Sequence, residues 1–131
     1  MSDAAVLEVL RAVPHLTVYD GYPTADEENK VILVDLPYIV FVPMTPRDRD
    51  VRFNAQAGGR VEEFRLTGVG ETTEQAKAVL ERARAVLNRQ WIAGGLCRRD
   101  VDSLPVQRDF TYNRPDGGPI FYGVDPYTLP L

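Results

Sequence analysis

The amino-acid sequence predicts an α+β fold in which two helices pack on a mainly antiparallel sheet and a β-hairpin projects from that sheet. Three observations lead to this prediction. Several strand-like segments accompany only two segments of helical periodicity, one strand-like segment is continuously apolar, and one helical segment begins with a capping motif. Strands that outnumber helices in this order are typical of helices packed on an antiparallel sheet.

Composition limits the functions that the chain can have. The length of 131 residues, without repeats, predicts one domain over residues 1–131. The net charge of −4 argues against binding nucleic acid by broad phosphate neutralisation. Cys97 is the single cysteine, which excludes an intramolecular disulfide and a cysteine-based metal site. The first apolar run follows no basic segment and is too short to cross a bilayer, so we expect a soluble protein, made inside the cell, without a membrane partner.

The N-terminal third predicts a helix and two strands. Apolar residues at helical spacing predict a helix from Asp3 to Val13, which ends before Pro14. Leu16–Pro23 predicts a short strand that enters an Asp-Gly turn, and the acidic segment Asp26–Glu28 predicts a solvated loop. Tyr38–Val42 is continuously apolar, which predicts a central strand covered on both faces.

A β-hairpin is predicted from Arg47 to Arg65, with its base in the sheet and a flexible, projecting tip at Ala55–Gly59. In its second half Phe64 and Leu66 alternate with polar residues, as expected of a strand with one buried face. Charges of both signs lie along the hairpin, which is typical either of a solvated face or of the polar rim of a subunit interface. The hairpin residues assigned to a candidate interface with another subunit are Arg47, Asp48, Arg49, Asp50, Arg52 and Arg60.

The second helix has the strongest pattern. Thr72 and Gln75 have the spacing of a capping box at its start. Lys77, Glu81 and Arg84 are predicted to lie outside its apolar stripe. The stripe consists of Ala76, Val79, Leu80, Ala83, Val86 and Leu87.

The last third predicts two more strands, near Leu104–Arg108 and at Pro119–Leu129, on either side of a turn-rich gap. Trp91 lies between the second helix and these strands. By default it is predicted as a core residue. Because tryptophan is also enriched at interface hot spots, Trp91 joins the candidate interface residues.

The segment TGVGETTEQAKAVL places a glycine pair between a strand and a helix, where many proteins bind phosphate. A P-loop requires a lysine that reaches the β and γ phosphates, but this position holds Glu71, whose charge would repel them. The dinucleotide-binding glycine pattern is also absent. We therefore expect Gly68 and Gly70 to adopt backbone angles barred to other residues, and we expect no nucleotide or other cofactor.

No set of side chains forms a recognisable catalytic site. His15 is the only histidine and has no identifiable partner for nucleophilic catalysis. Cys97 precedes two arginines that could lower its pKa, with a small, partly buried residue as the alternative. The carboxylate pairs lack a shared face or further ligands; they are Glu62–Glu63 and Asp100–Asp102. We therefore expect a protein that is not an enzyme and holds no metal.

Four segments, in this order, resemble the tail terminator proteins of long-tailed, non-contractile bacteriophages. They are VYDGYP (Val18–Pro23), LPYIVFVP (Leu36–Pro43), FRLTGVGETTEQAKAVLERARAVL (Phe64–Leu87) and FYGVDPYTL (Phe121–Leu129). The resemblance covers most of the chain. An arginine-rich composition suits a phage of a GC-rich host such as an actinobacterium.

The resemblance implies an α+β subunit of a six-membered ring in the virion, at the head-tail junction, made in the host cytoplasm. Such a ring caps the tail tube, ends its polymerisation and joins it to the head-side connector or stopper. Its partners would be further copies of the chain, the major tail tube protein and that connector. DNA would pass through the lumen without sequence-specific binding. Two alternatives stay open: another neck or tail-completion protein, or a small cellular enzyme with an unrecognised cleft.

Overall fold

A computed structural model describes residues 2–44, 47–48, 60–100 and 105–130. These residues form two helices and a mostly antiparallel sheet, which confirms the predicted α+β fold. The helices are α1 (Ser2–Arg11) and α2 (Thr73–Leu87). The strands are β1 (Val18–Asp20), β2 (Ala25–Asp26), β3 (Val31–Ile32), β4 (Tyr38–Pro43), β5 (Arg47–Asp48), β6 (Arg60–Gly70), β7 (Gln90–Ile92), β8 (Gly95–Arg99), β9 (Gln107–Asp109) and β10 (Ile120–Pro130).

The sheet is built around the antiparallel pair of β6 and β10. Their register runs from Val61 opposite Pro130 to Gly70 opposite Phe121. Beyond β6 the sheet continues with β4 and then β1, and beyond β10 it continues with β8 and then β7. β1 joins β4 in parallel, whereas β2 and β3 form a separate small antiparallel sheet. This order puts the two longest strands in the middle of the sheet.

Strand β4 is covered on both faces, as its continuously apolar sequence predicts. Ile39 and Phe41 belong to the core under the helices, whereas Tyr38 and Val40 belong to a second apolar cluster on the other face. Tyr19 of β1 meets Tyr38 edge-on, with 5.5 Å between the ring centroids. The sheet therefore has one helix-covered face and an outer face on which a smaller cluster lies.

The helix-covered face holds the main core. Phe41, Phe64 and Tyr127 form an aromatic row across β4, β6 and β10, with centroid distances of 5.3 Å and 5.2 Å. Each fully buried large apolar side chain stabilises such a core by about 1.5–3 kcal/mol. The predicted stripe of α2 is buried except for Val86, which is half-buried; its buried members are Ala76, Val79, Leu80, Ala83 and Leu87.

Gly68 and Gly70 let α2 lie directly on β6. A Cβ atom added at Gly68 would stand 2.6 Å from Cγ of Leu80 and 2.9 Å from the carbonyl oxygen of Ala76. A Cβ atom added at Gly70 would stand 2.6 Å from Cβ of Gln75. Neither glycine has a positive φ, so the prediction of unusual backbone angles is wrong. These glycines are needed because any side chain there would occupy the space of the helix.

The capping box at the start of α2 is confirmed, except that the Gln75 side chain bonds to the backbone N–H of Glu71 and not to that of Thr72. The Thr72 hydroxyl oxygen accepts a hydrogen bond from the Gln75 backbone N–H at 3.1 Å. Oε1 of Gln75 accepts from the backbone N–H of Glu71 at 2.8 Å, one residue before the cap. Two backbone donors at the helix start are thereby satisfied.

A buried carboxylate links α2 to two strands. Asp125 of β10 is 2% exposed, and its Oδ1 lies 2.7 Å from Nη2 of Arg99 on β8. Nη2 of Arg84 on α2 lies 3.7 Å from Oδ2 of the same carboxylate. The position of Arg84 outside the apolar stripe suggested a side chain that faces only solvent. The structure instead places its guanidinium group near the buried carboxylate of Asp125. A carboxylate buried this deeply requires paired charges, because an unpaired one would be strongly destabilising.

The base of the predicted hairpin is present. Arg47 pairs with Val61 and Asp48 pairs with Arg60, so β5 and the first residues of β6 are antiparallel neighbours. The tip at Ala55–Gly59 lies outside the described residues. The hairpin prediction is thus confirmed at its base.

Other elements differ from the predictions. The strand expected near Leu104–Arg108 is β9, which begins at Gln107 and ends at Asp109; Leu104 lies outside the described residues. The β7–β8 hairpin was missed, because its turn places an alanine, Ala93, at a positive φ of 52° before Gly94 at 87°. Asn-Gly or Asp-Gly at these positions would have signalled the turn.

Gly68→Ala should lower the free energy of unfolding by about 1–3 kcal/mol, because the added methyl group has no space beside α2. Urea titration followed by circular dichroism measures this change. Lys77→Ala, on the exposed face of the same helix, is the control and should stay within about 0.5 kcal/mol of the wild type. A Gly68→Ala variant as stable as the wild type would contradict the close approach.

Asp125→Ala should cost about 3–5 kcal/mol of unfolding free energy, because it breaks a buried ion pair by removing the carboxylate that contacts the 7%-exposed Arg99 side chain. Thermal and urea unfolding measure the loss. The exposed Asp100, changed to alanine, provides a matched control that should lose little. Equal effects of the two substitutions would mean that the buried carboxylate does not hold these elements together.

Candidate functional site

The structure describes some of the predicted interface residues and not others. The backbones of Arg47, Asp48 and Arg60 meet in the pairing of β5 with β6. Three others, Arg49, Asp50 and Arg52, lie outside the described residues. Trp91 lies on β7 at the opposite edge of the sheet order. The structure therefore brings three of the charged residues to one end of β6 and puts the tryptophan on a different strand.

Trp91 is a surface residue, which corrects its default prediction as core. Its side chain is 75% exposed, whereas the next residue, Ile92, belongs to the main core. Neighbouring strand residues point to opposite faces, so Trp91 lies on the outer face, opposite Leu96 of β8. A large exposed aromatic ring on an edge strand is typical of a binding surface.

The part of the outer face near Trp91 forms a surface that we call the open face. In its middle, Thr128 of β10 lies between Arg98 of β8 and Glu63 of β6. The side chains are exposed or half-buried, in contrast to the core residues that alternate with them. We define the open face by Trp91, Leu96, Arg98, Thr128, Val61 and Arg65. It lies at the same end of β6 as the pairing with β5.

The other end of the outer face carries a cleft of about 590 Å³. Its floor is the sheet, with Tyr38, Thr67 and Tyr122 among the lining residues. Its walls come from the segments around β2 and β9, which contribute Tyr22 and Tyr112. Burial raises the pKa of Tyr38 to about 12, with the nearby charge of Asp109 adding to the effect. Four tyrosine rings of the described residues therefore line this cleft, and the Tyr38 hydroxyl is un-ionised at neutral pH.

A hydrogen-bonded group holds the wall of the cleft in place. The Tyr112 hydroxyl donates its one proton to the carboxylate of Glu27, whose two oxygens lie 2.7 Å and 2.9 Å from the hydroxyl oxygen. Nζ of Lys30 lies 3.2 Å from Oε2 of Glu27 and 5.6 Å from the centroid of the Tyr112 ring. The bond from Tyr112 chiefly, and that from Lys30 next, lower the pKa of Glu27. The acidic segment Asp26–Glu28, predicted as a solvated loop, is thus bound through Glu27 to Tyr112 on the opposite wall of the cleft.

A second carboxylate of the cleft is also engaged by backbone groups. Oδ1 of Asp109 accepts hydrogen bonds from the backbone N–H groups of Thr111 and Tyr112, at 2.7 Å and 3.1 Å. This turn orients Tyr112 toward Glu27. Because both carboxylates are used in holding the cleft together, the arrangement favours binding over proton transfer at this place.

Exposed apolar side chains surround the cleft. Tyr22 is 80% exposed and Phe110 87% exposed, and Leu33 follows the lining residue Ile32 with 56% of its surface exposed. Exposed large apolar residues gathered around a concave surface are typical of a protein-binding site. No periodic sequence pattern marks this site, because its residues come from β4, β6 and β10 and from the segments around β2 and β9, which are distant from one another in sequence.

The catalytic candidates of the sequence are not brought together. Cys97 is fully buried, and burial raises the pKa of its thiol to about 12, so it is not an accessible thiolate. His15 lies in an exposed turn with a φ of 60°, where its carbonyl oxygen accepts a hydrogen bond from Arg82. Glu62 is buried on the helix-covered face, so it does not share a site with Glu63. Asp100 is exposed, and Asp102 lies outside the described residues.

Over residues 2–44, 47–48, 60–100 and 105–130, no group of three or more His, Cys, Asp and Glu side chains is arranged to hold a metal ion. Neither helix within those ranges has the length and hydropathy needed to cross a membrane.

The sequence matches no protein-family model and no curated protein. Among solved structures, the chain is similar to a chain of a structure titled "Virion of native gene transfer agent (GTA) particle". The TM-score is 0.55 at 17% sequence identity, and the match covers 98% of this chain and 93% of the other. At this identity, the likeness shows a common fold over nearly the whole of both chains.

Tyr112→Phe should raise the pKa of Glu27, because it removes the hydrogen bond that chiefly lowers it. A lowered pKa means that the ionised carboxylate stabilises the folded wall, and that this contribution is lost as pH falls through the folded-state value. In the variant this contribution should therefore be smaller, and its loss should be complete at a higher pH. An NMR titration of the Glu27 carboxyl carbon measures this, with Tyr22→Phe as the control. An unchanged Glu27 titration in Tyr112→Phe would contradict the assigned bond.

Proposed function

We propose that this chain is a structural virion protein of a phage-like particle, and specifically a tail terminator. In this role, six copies form a ring that caps the tail tube, ends its polymerisation and joins the tube to the head-side connector. The observation that carries the proposal is the likeness to a chain of a gene transfer agent virion, over 98% of this chain and 93% of the other. The four sequence segments that resemble tail terminators support the finer assignment.

The distribution of exposed apolar surface supports a ring. The open face with Trp91 and the cleft with Tyr22 lie toward opposite ends of β6 and differ in shape and charge. Two unlike surfaces on one chain favour a head-to-tail contact between copies, in which each copy uses a different surface toward each neighbour. Such contacts close into a ring when the rotation between copies allows it. A two-fold dimer would instead require one self-complementary surface.

The charge of the chain supports a channel through which DNA slides. With a net charge of −4, a ring of six copies would carry a negative charge overall. Contacts between basic side chains and phosphates would hold the DNA in place, so a passage for DNA requires few of them. DNA would therefore pass through the lumen without sequence-specific binding.

The alternative of a small enzyme rests on the 590 Å³ cleft. Against it, Glu27 and Asp109 are engaged in holding the walls, and Cys97 is buried. Another neck or tail-completion protein is compatible with the same fold. Ring formation combined with an effect on tube length separates the tail terminator from both alternatives.

Native mass measurement tests the ring. Six copies of the 14.7 kDa chain would give a species of about 88 kDa, in solution or on the end of a tail tube. Trp91→Ala should weaken this assembly by about tenfold or more, because an interface tryptophan of this exposure commonly contributes over 1.4 kcal/mol.

Gln90→Ala is the matched control for the tryptophan variant, because Gln90 is exposed on the same strand but alternates to the other face. It should assemble as the wild type does. A wild-type protein that stays monomeric both in solution and with tail tubes would overturn the proposed function. A ring that tolerates Trp91→Ala would exclude the open face as an interface.

A further inference from the structure

We infer that the tyrosine-lined cleft of one copy binds residues 47–60 of a neighbouring copy. We call residues 47–60 the arm. This inference rests on the proposed ring and adds to it the pair of surfaces that join one copy to the next. Four features of the chain support it: charge, side-chain chemistry, reach, and the positions of the two surfaces along β6.

The charges of the two partners are complementary. The wall segment of the cleft, residues 22–36, has four carboxylates and one lysine. The carboxylates are Asp26, Glu27, Glu28 and Asp35, and Asp109 lies in the cleft on the other side. The arm has four arginines, Arg47, Arg49, Arg52 and Arg60, against two aspartates. In a chain of net charge −4, the arm is thus a local positive segment and the wall a negative one.

The side chains of the arm suit a cleft lined by tyrosine. Arg52 and Phe53 are adjacent in the arm. A guanidinium group binds over the face of an aromatic ring, and a phenyl ring packs edge-on or offset against tyrosine. The exposed rings of Tyr22 and Phe110 at the rim extend this aromatic surface. Aromatic residues and arginine are also the side chains enriched at the centres of protein interfaces.

The arm of one copy is too short to fill the cleft of the same copy. Eleven residues, 49–59, connect Asp48 to Arg60. A connection of eleven residues that leaves this pair and returns to it can reach at most about 18 Å from it. From Arg60, the cleft begins at Thr67, seven residues along β6, which is a distance of about 23 Å. A second copy must therefore supply the arm.

The positions of the two surfaces give the contact a direction. The arm leaves at the Arg60 end of β6, and the cleft lies over Thr67 and Val69 toward the other end. A copy that gives its arm to one neighbour can therefore accept the arm of another. This is the head-to-tail contact that a ring requires. The open face around Trp91 lies at the arm end, where it would face the rim of the neighbouring cleft.

Zero-length cross-linking of the assembled full-length protein tests the inference. Lys30 stands at the cleft, beside Glu27 and over Tyr112, and the arm carries Asp48 and Asp50. A carbodiimide joins a lysine amine to a carboxylate only when the two touch. Equal amounts of ¹⁴N- and ¹⁵N-labelled protein, mixed before assembly, identify links between chains by mass spectrometry. We expect links from Lys30 of one chain to Asp48 or Asp50 of another.

The chain contains its own references for this experiment. The contact of Lys30 with Glu27, at 3.2 Å, should give a link within one chain and shows that the amine reacts. Lys77, the other lysine of the sequence, is exposed on α2 across the sheet from the cleft and should give no link to the arm. Rings that lack the Lys30–arm links, or contain them only within one chain, would overturn this inference and leave the ring proposal intact. Absence of any assembly would overturn the ring proposal itself.

Two double variants test the same pair of surfaces by substitution. The arm variant carries Arg49→Glu and Arg52→Glu. The cleft variant carries Tyr22→Ala and Phe110→Ala; because both rings are exposed, their removal should not disturb the core. In each variant alone, the affinity between copies should fall by about tenfold or more, so fewer rings should form. A mixture retains one intact arm and one intact cleft, so it should give cross-linked pairs of chains and no rings. Full rings from either variant, or no cross-linked pairs in the mixture, would overturn the inference.

Discussion

The packing of both helices on one face of the sheet depends on the direct contact of helix α2 with strand β6, which Gly68 and Gly70 make possible. With no side chain at these positions, Leu80 and the backbone of Ala76 occupy the space above the strand. This fixes α2 on one face of the central strand, and the aromatic row of Phe41, Phe64 and Tyr127 fills the layer beneath the helices. Because both helices pack on this face, the outer face of the sheet is covered only by shorter segments and is partly exposed.

The outer face is divided between a covered and an open half. At one end, the hydrogen bonds of Tyr112 to Glu27 attach the β2–β3 segment beside the sheet and form the cleft. At the other end, Trp91 and Arg98 are exposed on strands whose alternate residues are buried. The buried pair of Asp125 and Arg99 ties β8 to β10 on the helix-covered face, which supports the edge strand that presents Trp91. Both surfaces thus depend on the same scaffold.

Much of the fold could be predicted from the sequence, because its long elements carry strong local signals. The continuously apolar β4 and the capped, periodic α2 are examples in which local pattern and tertiary burial agree. The β7–β8 hairpin could not be predicted, since Ala93 stands where glycine or asparagine is usual. The exposure of Trp91 depends on that hairpin and was therefore missed as well. The cleft was not predictable, because its tyrosines are separated in sequence and come together only through the folding of β4, of the segment around β2, and of β9 and β10, which pair with each other.

The length of tails assembled with and without this protein tests the central proposal most directly. Tube protein polymerised to completion with the wild-type chain, and imaged by electron microscopy, should give tails of one length that carry a ring at one end. Tube protein alone should give longer tubes with a broad distribution of lengths. Tails with the same length distribution in both cases would contradict the role of a tail terminator.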